Sequence, residues 1–396
     1  MSIEIRPVTT AKDKHVFILL PWRLYKGDSN WVPPLISDMK NTLKPKKNAL
    51  LNLGPYQYFL AYRDDQPVGR IGVGIDYHLN EVKKFKASYL TLFESINDYQ
   101  VAKTLFDTAL DWAKQHGAEF ITGPQSPTNG DDYRGLLIQG FETPPALMNS
   151  YNPPYYQDFF EQYGFTKQFD RNAYFVDIVN SEVPEKFVRG VEYAKKRYGF
   201  RVEKIDMKRF DEHVEAIVQV VVAAWPENWP DMVPPTPEEV RAEVAKLKPL
   251  VDPELVYFAW DKDNRPISVA ITLPNYNELL QKMNGRLWPT GWFHFLVGKK
   301  KIKSARIFAL MTIPEYHNKG ISAAIYLEGI TNARKMGYEW VDGSSIHDFN
   351  IKMNQDVLGA GGKLYKVFRV YQKQLGPEES SRLYFDVAQA AKYSVF

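Results

Sequence analysis

One segment of the sequence combines a turn, a glycine and small residues in an order that suits phosphate binding. It runs Ile313-Pro-Glu-Tyr-His-Asn-Lys-Gly-Ile-Ser-Ala-Ala-Ile325, between a β-type stretch and a helix-type stretch. At such a helix start, free backbone N–H groups and the positive end of the helix dipole point the same way. A side chain at Gly320 would hold a phosphate away from those amides. His317 and Lys319 could add a donor and a charge, although a glycine before a helix is common and a purely structural role stays open.

An internal repeat indicates which elements position this segment. Each copy has a β-hairpin pattern with a polar turn, a third β-type run, an amphipathic helix pattern and a further strand. The ranges are 58–75, 87–93, 101–117 and 120–123 in the first copy and 256–272, 305–313, 320–337 and 340–343 in the second. The phosphate-type segment therefore joins the third strand of the second copy to its helix.

This order of elements predicts an α/β protein with a mixed, α+β type of sheet in each of two tandem domains. At 396 residues the chain is also too long for a single hydrophobic core. We predict an N-terminal domain over residues 1–180, a C-terminal domain over residues 181–376 and a helical tail over residues 377–396.

Composition excludes several classes of function. The chain has 50 basic and 47 acidic residues mixed along its length, so nothing favours a nucleic acid partner. It has no cysteine, which excludes disulfides, thiol nucleophiles and thiolate zinc sites, and its histidines show no metal-ligand spacing, so no metal is expected. The N-terminus lacks a leader pattern and no run of about 18 apolar residues occurs, so we expect a cytoplasmic protein without a membrane partner.

Taken in this context, the phosphate-type segment resembles the acyl-CoA loop of the GNAT superfamily of N-acetyltransferases. Asn350–Asn354 and Gly361–Tyr371 resemble the closing helix and last strands of that superfamily. In the first half, Pro21–Tyr25, Asn30–Pro34 and Tyr151–Tyr156 resemble a bacterial subfamily of double-GNAT proteins. The resemblance thus covers nearly the whole chain.

The resemblance implies two tandem acyl-CoA N-acyltransferase folds. Acetyl-CoA or another acyl-CoA would be the co-substrate, and a small-molecule or peptide amine would be the acceptor. The residues expected to bind the co-substrate are Met311, Thr312, Ile313, His317, Asn318, Lys319, Gly320, Ile321, Ser322, Ala323 and Asn350.

Departures from the superfamily pattern qualify this expectation. The loop usually begins with Arg or Gln, where this chain has His317, and Ser322 replaces a second Gly or Ala, so binding should survive in weaker form. A tyrosine that often protonates the leaving thiolate is matched by Val357, which cannot do so. The corresponding loop of the first copy, residues 93–101, has no glycine, so we expect that copy not to bind acyl-CoA in the usual way.

Acyl transfer from a thioester to an amine requires a neutral amine, a stabilised oxyanion and a leaving thiolate that gains a proton or is well solvated. In this fold a backbone N–H between Met311 and Ile313 would stabilise the oxyanion. The candidate bases are His347, Glu315, Asp342 and Asp348. His347 is the first choice because its pKa suits the task, but a solvated or capping role stays open for each of them.

The segment Gly123–Pro145 is too long for a simple connection, and loops of that length are often functional. It could wall a substrate pocket between the two halves, or it could be a rigid packing element. The polar contacts of such a pocket would be Asn129, Asp131, Tyr133 and Arg134. The lysine-rich run Lys299–Lys303 is a solvated turn in the simplest interpretation and a contact for the CoA phosphates in another.

Three functions remain open from the sequence. The first is an N-acyltransferase that uses acetyl-CoA or another acyl-CoA. The second is a non-catalytic acyl-CoA-binding or regulatory module, which Val357 and the lack of an obvious base favour. The third is a Fem-type aminoacyl (peptidyl) transferase, which also pairs two GNAT folds but takes its aminoacyl group from tRNA. The small net charge counts against the third function.

Overall fold

The computed structural model describes residues 2–376 except positions 129, 227–228, 230 and 288–290. The helical tail predicted for residues 377–396 and the predicted pocket residue Asn129 therefore lie outside the described residues. In the described part of the chain, no helix is both long enough and apolar enough to cross a membrane.

Strands and helices alternate along the described residues. The strands are β1 (Glu4–Pro7), β2 (Tyr56–Arg63), β3 (Gln66–Gly74), β4 (Ala87–Ser95), β5 (Phe120–Gly123), β6 (Leu136–Gln139), β7 (Thr166–Asp177), β8 (Arg201–Lys204), β9 (Val256–Trp260), β10 (Pro266–Pro274), β11 (Ser304–Thr312), β12 (Trp340–His347) and β13 (Lys363–Gln374). The helices are α1 (Ala11–Leu24), α2 (Ile36–Thr42), α3 (Tyr77–Lys83), α4 (Tyr99–Gln115), α5 (Tyr155–Gln162), α6 (Glu185–Tyr198), α7 (Phe210–Ala224), α8 (Pro237–Leu247), α9 (Asn277–Met283), α10 (Gly291–Gly298), α11 (Ile321–Lys335) and α12 (Ile351–Gly359).

The chain folds into two compact units. Unit 1 comprises the described residues up to Arg171, together with the described residues of Asn277–Lys299 and those that follow Tyr365. Unit 2 comprises Asn172–Tyr276 and Lys300–Tyr365. The linear division of the chain near residue 180 stays a prediction.

Each unit contains a mixed sheet. In unit 1 the strand order is β1-β2-β3-β4-β5-β13, and β6 also pairs with β13. In unit 2 the order is β12-β11-β10-β9-β8. The hairpins β2–β3 and β9–β10 are antiparallel, whereas β4 runs parallel to β5 and β11 runs parallel to β12. The α/β fold with mixed sheets predicted from the repeat is confirmed.

β4 in unit 1 and β11 in unit 2, which are the third β-type runs of the two repeats, each leave their parallel neighbour part-way along. We refer to both as the third strand. The parallel register joins Ala87–Tyr89 to β5 in unit 1 and Ser304–Arg306 to β12 in unit 2. Just beyond, the third strand shifts register against its hairpin, at Arg70/Gly72 and at Ile271/Thr272. An extra residue of this kind bends a strand. We call the remaining part of the third strand the splayed segment, 90–95 in unit 1 and 307–312 in unit 2.

Aromatic side chains hold α4 and α5 on the sheet of unit 1. The ring of Phe106 on α4 lies 4.8 Å from Phe93 on β4 and 4.8 Å from Phe160 on α5. Phe106 and Phe160 are fully buried. Burial of a phenylalanine side chain stabilises a fold by roughly 1.5–3 kcal/mol, so this cluster fixes the position of β4 and its splayed segment.

A carboxylate side chain caps the N-terminus of α4. Asp98 is the N-cap residue, and its side chain accepts a hydrogen bond from the backbone N–H of Gln100 at 2.9 Å. The Arg63 guanidinium lies 2.6 Å from the other oxygen of the same carboxylate. The hydrogen bond from Arg63 lowers the pKa of Asp98. A negative charge therefore already occupies the positive end of this helix.

Replacement of Asp98 by alanine should lower the free energy of unfolding by about 1–2 kcal/mol at neutral pH, because an N-cap and an ion pair are lost together. The ionised carboxylate stabilises the fold fully above the unfolded-state pKa of about 3.9, and this contribution disappears as the pH falls through the lower folded-state pKa. Urea denaturation of D98A and wild type at pH 7 and below pH 3 measures both effects.

D98N is the matched control, since asparagine keeps a capping oxygen but lacks the charge. It should lose less stability than D98A. A D98A protein as stable as wild type at pH 7, or a difference that persists undiminished below pH 3, would contradict this account of the helix start.

Candidate functional site

In unit 2 the turn between β11 and α11 contains two residues in the left-handed backbone region. Asn318 and Gly320 have positive φ angles of 60° and 75°. Gly320 is the N-cap residue of α11, and no side-chain cap hydrogen bond closes this helix start among the described residues. The first turn of α11 contains no acidic residue. The amides that open α11 are therefore not covered by a capping side chain, in contrast to those that open α4.

Two side chains of this turn have different roles: His317 holds the turn in place and Lys319 supplies a positive charge. The His317 ring places its Nε2 atom 2.9 Å from the carbonyl oxygen of Thr312, so the ring ties the turn back to β11. The Lys319 ammonium lies 4.5 Å from the ring centre of Tyr316 and 5.8 Å from that of Tyr198 on α6. Such aromatic contacts hold a cation in place without neutralising its charge. Lys319 thus keeps a positive charge beside the start of α11.

The small residues predicted around Gly320 meet different surroundings. Ile321 is buried, Ser322 is exposed and Ala323 is half-buried. A Cβ atom added to Gly320 would lie 3.0 Å from the Cβ of Ala194 on α6, and the backbone angle at Gly320 also disfavours any side chain. The position thus requires glycine for a geometric reason.

The hydrogen bonding of β11 shows which of the backbone N–H groups of Met311, Thr312 and Ile313 is oriented to stabilise an oxyanion. The N–H of Ile313 donates to the carbonyl oxygen of Ile267 at 3.0 Å, so it is engaged within the sheet. Thr312 is paired with Ser268, and Met311 with Val269. Because amides alternate between the two edges of a strand, the N–H of Thr312 faces away from β10 while that of Met311 faces it. Of the three predicted residues, Thr312 therefore has the suitable orientation.

The predicted bases lie on different elements. Glu315 belongs to the exposed turn after β11 and forms an ion pair with Arg265 at 2.8 Å, with 63% of its side chain exposed. Asp342 lies near the start of β12, is fully buried and accepts a hydrogen bond from the Tyr365 hydroxyl at 2.8 Å. Burial, followed by the charge of Asp342, raises the pKa of Tyr365. Both carboxylates thus interact with another side chain of the protein, Glu315 with Arg265 and Asp342 with Tyr365.

His347 ends β12 and lies in an aromatic setting. Its ring stacks on Phe349 at 4.7 Å and lies 5.4 Å from Trp229. Its Nε2 atom is 3.7 Å from a carboxylate oxygen of Asp231, and both residues are buried. An imidazole beside a carboxylate is a side-chain arrangement that general acid–base catalysis uses. Sequence reasoning missed Trp229 and Asp231, although both lie in a conspicuous Trp- and Pro-rich insertion, residues 225–235.

Asn350 and Asn354 organise the chain after His347. The Asn350 side chain accepts a hydrogen bond from the N–H of Met353 at 3.2 Å and so caps α12. The Asn354 side chain donates to the carbonyl oxygens of His347 and Asn350, at 2.8 and 2.7 Å, and accepts from the Tyr174 hydroxyl at 2.6 Å. Asn354, for which the sequence predicts no role, thereby holds the end of β12 in place.

The predicted pocket residues of unit 1 hydrogen bond within their own unit. Asp131 lies 2.5 Å from the buried Arg171 guanidinium. Arg134 is buried and donates to the carbonyl oxygen of Gly130 at 2.8 Å and to the Gln125 side chain at 2.9 Å. Tyr133 is 40% exposed. These bonds favour the packing role left open for this segment.

Comparison with known proteins places the chain in a family. No family model matches it. It is similar to the bacterial ceramide synthase of Caulobacter vibrioides (strain NA1000 / CB15N), with 30% identity over 381 residues that cover 94% of this chain and 98% of the relative. It is also similar to protein YghO of Escherichia coli (strain K12), with 30% identity over 377 residues that cover 94% and 95%. The chain belongs to this family.

A solved structure shows the same fold. The tandem GNAT protein from the clavulanic acid biosynthesis pathway matches with a TM-score of 0.57 at 11% identity, over 95% of this chain and 100% of that chain. The predicted tandem GNAT-like fold is confirmed.

Replacement of Tyr365 by phenylalanine should lower the free energy of unfolding by about 1–3 kcal/mol, because the buried Asp342 carboxylate loses a hydrogen-bond donor. Chemical denaturation measures the change. Y193F is the matched control, since the Tyr193 hydroxyl bonds Arg197 on an exposed face of α6, and its stability should stay within about 0.5 kcal/mol of wild type. Equal stability losses in the two variants would refute the role assigned to the Asp342–Tyr365 pair.

Proposed function

We propose that this protein is an N-acyltransferase that transfers an acyl group from acyl-CoA to an amine. The observation that carries the proposal is the start of α11, where Gly320 opens the helix without a capping side chain beside the splayed segment of β11. A helix start of this kind binds phosphate oxygens through its amides and its dipole. The diphosphate of CoA would lie against the amides of residues 318–323, with Lys319 adding positive charge.

The reaction assigned to unit 2 is a balanced acyl transfer. The neutral amine nitrogen attacks the thioester carbonyl carbon, so that a C–N bond forms and the C–S bond breaks. The N–H of Thr312 would stabilise the oxyanion. The His347 imidazole would accept the proton from the amine nitrogen and return it to the leaving thiolate, a task that Val357 cannot perform. Asp231, at 3.7 Å, would stabilise the imidazolium.

The family supports a more specific acceptor. One relative is named a bacterial ceramide synthase, and ceramide is the amide of a fatty acid and a long-chain amino alcohol. We propose a long-chain amino alcohol as the acceptor class here, with acetyl-CoA or a longer acyl-CoA as the donor. A cytoplasmic location fits the use of CoA thioesters.

A G320D variant should bind acetyl-CoA weaker by roughly tenfold or more, because a carboxylate at the start of α11 competes with the diphosphate for the same amides. Isothermal titration of the purified protein measures the affinity. G337D is the matched control, since Gly337 follows the other end of α11, has a positive φ of 84° and has open space around it. If both variants bind acetyl-CoA like wild type, or if wild type fails to bind it at millimolar concentration, the proposed site is wrong.

An H347Q variant should release free CoA roughly 100-fold more slowly than wild type with an amine acceptor, because the proton acceptor is lost. Its affinity for acyl-CoA should not change. A thiol assay over a panel of amines and long-chain amino alcohols measures the rate. An unchanged rate in H347Q would remove His347 from the mechanism. Binding of acyl-CoA by wild type without CoA release from any acceptor would instead favour the non-catalytic acyl-CoA-binding module.

A further inference from the structure

Three sequence motifs that the proposed reaction does not use come together in unit 1. They are Pro21–Tyr25, Asn30–Pro34 and Tyr151–Tyr156, and members of each gather near Glu94 on the splayed segment of β4. The Tyr25 and Tyr156 hydroxyls both donate to the Oε2 atom of Glu94, at 2.8 and 2.9 Å. Residues about 60 to 130 positions apart thus meet at one carboxylate.

The other oxygen of Glu94 is weakly engaged. Its Oε1 atom is 3.5 Å from the Arg70 guanidinium, and 12% of the Glu94 side chain is exposed. Arg70 is 4% exposed and donates to the carbonyl oxygen of Phe17 at 2.6 Å. The buried Nε of Arg70 has no hydrogen-bond partner among the described residues. Burial is the largest influence and raises the pKa of Glu94 above its usual range, although the Arg70 charge opposes this shift.

This arrangement does not serve stability well. A buried ion pair repays the loss of water only with close geometry and full hydrogen bonding. Unit 1 contains an ion pair with that geometry, because the half-buried Arg369 meets the buried Asp170 with two hydrogen bonds of 2.8 and 3.1 Å. Arg70 and Glu94, by contrast, share one long contact and leave the Arg70 Nε unsatisfied. A buried polar group without a partner requires an explanation, and a functional role is one of those that structures offer.

Aromatic rings surround the same position. The ring of Trp31 stacks on Tyr25 at 4.9 Å with an interplanar angle of 7°, and Trp22 meets Trp31 edge-on at 5.3 Å. Tyr151 lies 6.2 Å from Tyr25, and its hydroxyl donates to the Asp28 carboxylate at 2.9 Å. These rings are the kind that attract an organic cation. The Asp98 carboxylate at the start of α4 makes this unit unsuited to a diphosphate.

We propose that unit 1 carries a binding site for a primary ammonium group, formed by the Glu94 carboxylate and the rings of Tyr25, Trp31 and Tyr151. The ammonium donates to the Oε1 atom of Glu94, and the attached carbon chain packs against the rings. The identification of this ligand with the acceptor amine rests on the proposed function, whereas the binding site itself does not. A long-chain amine and a lysine side chain share this chemistry.

The test is a titration of the full-length protein, without acyl-CoA, with hexylamine hydrochloride at pH 7. Isothermal titration measures affinity, and tryptophan fluorescence reports the neighbouring Trp22 and Trp31. We expect saturable binding that weakens by roughly tenfold or more in E94Q, since a hydrogen bond to a charged partner is lost. W31L should weaken it as well. Nα-acetyl-lysine amide replaces hexylamine in a second arm to identify the source of the amine.

The controls separate this site from general effects on the fold. E161Q and Y163F alter carboxylate–tyrosine pairs elsewhere in unit 1, Glu161–Tyr371 and Asp107–Tyr163, and should bind hexylamine like wild type. Hexanoate has the same chain with the opposite charge and should not compete. If E94Q does not fold, as judged by circular dichroism, W31L decides. Unchanged binding in every folded variant of the site, no binding of either amine, or preference for hexanoate overturns the proposal. Because acyl-CoA is absent, failure of the Gly320 site leaves this result intact.

Discussion

The chemistry of both units depends on one feature of the sheet. β4 in unit 1 and β11 in unit 2 each separate from their parallel neighbour strand part-way along. A strand that leaves its partner exposes N–H and C=O groups that need new hydrogen-bond partners. In unit 1 the chain supplies them, because the N–H of Gln125 donates to the carbonyl oxygen of Leu90 and the Thr91 hydroxyl donates to that of Gln125, both at 2.8 Å. In unit 2 the corresponding segment is the one to which we assign the thioester. Hydrogen bonds from the chain itself thus occupy the beginning of this opening in unit 1, whereas our proposal places a thioester at the corresponding opening in unit 2.

The two helix starts that follow these strands give the repeats different chemistry. Asp98 places a carboxylate on the amides of α4, whereas Gly320 leaves those of α11 without a side-chain cap. A single position at a helix start therefore determines whether the dipole serves stability or anion binding. In our proposal, unit 1 binds a cation through Glu94 and its aromatic neighbours, while unit 2 binds an anion at the start of α11.

The sequence predicted local features better than distant contacts. The hairpins, the third strands and the helices were predictable because their periodicity is local, and the glycine at 320 marked a helix start through its backbone preference. The placement of Asp231 beside His347 depends on how an insertion folds back, which no local pattern records. Glu94 also gave no signal, because its partners Tyr25 and Tyr156 become neighbours only in the folded sheet.

The position of β13 has a consequence for how the protein is made. This strand is encoded near the carboxyl-terminal end of the described residues, yet Tyr371–Gln374 pair with β5 in unit 1. Ribosomes add about 5–20 residues per second, so a nascent chain exposes the edge of β5 for many seconds before its partner strand emerges. An unpaired strand edge invites pairing with other chains. Biosynthesis of this protein thus includes an interval in which molecular chaperones would have a substrate to protect.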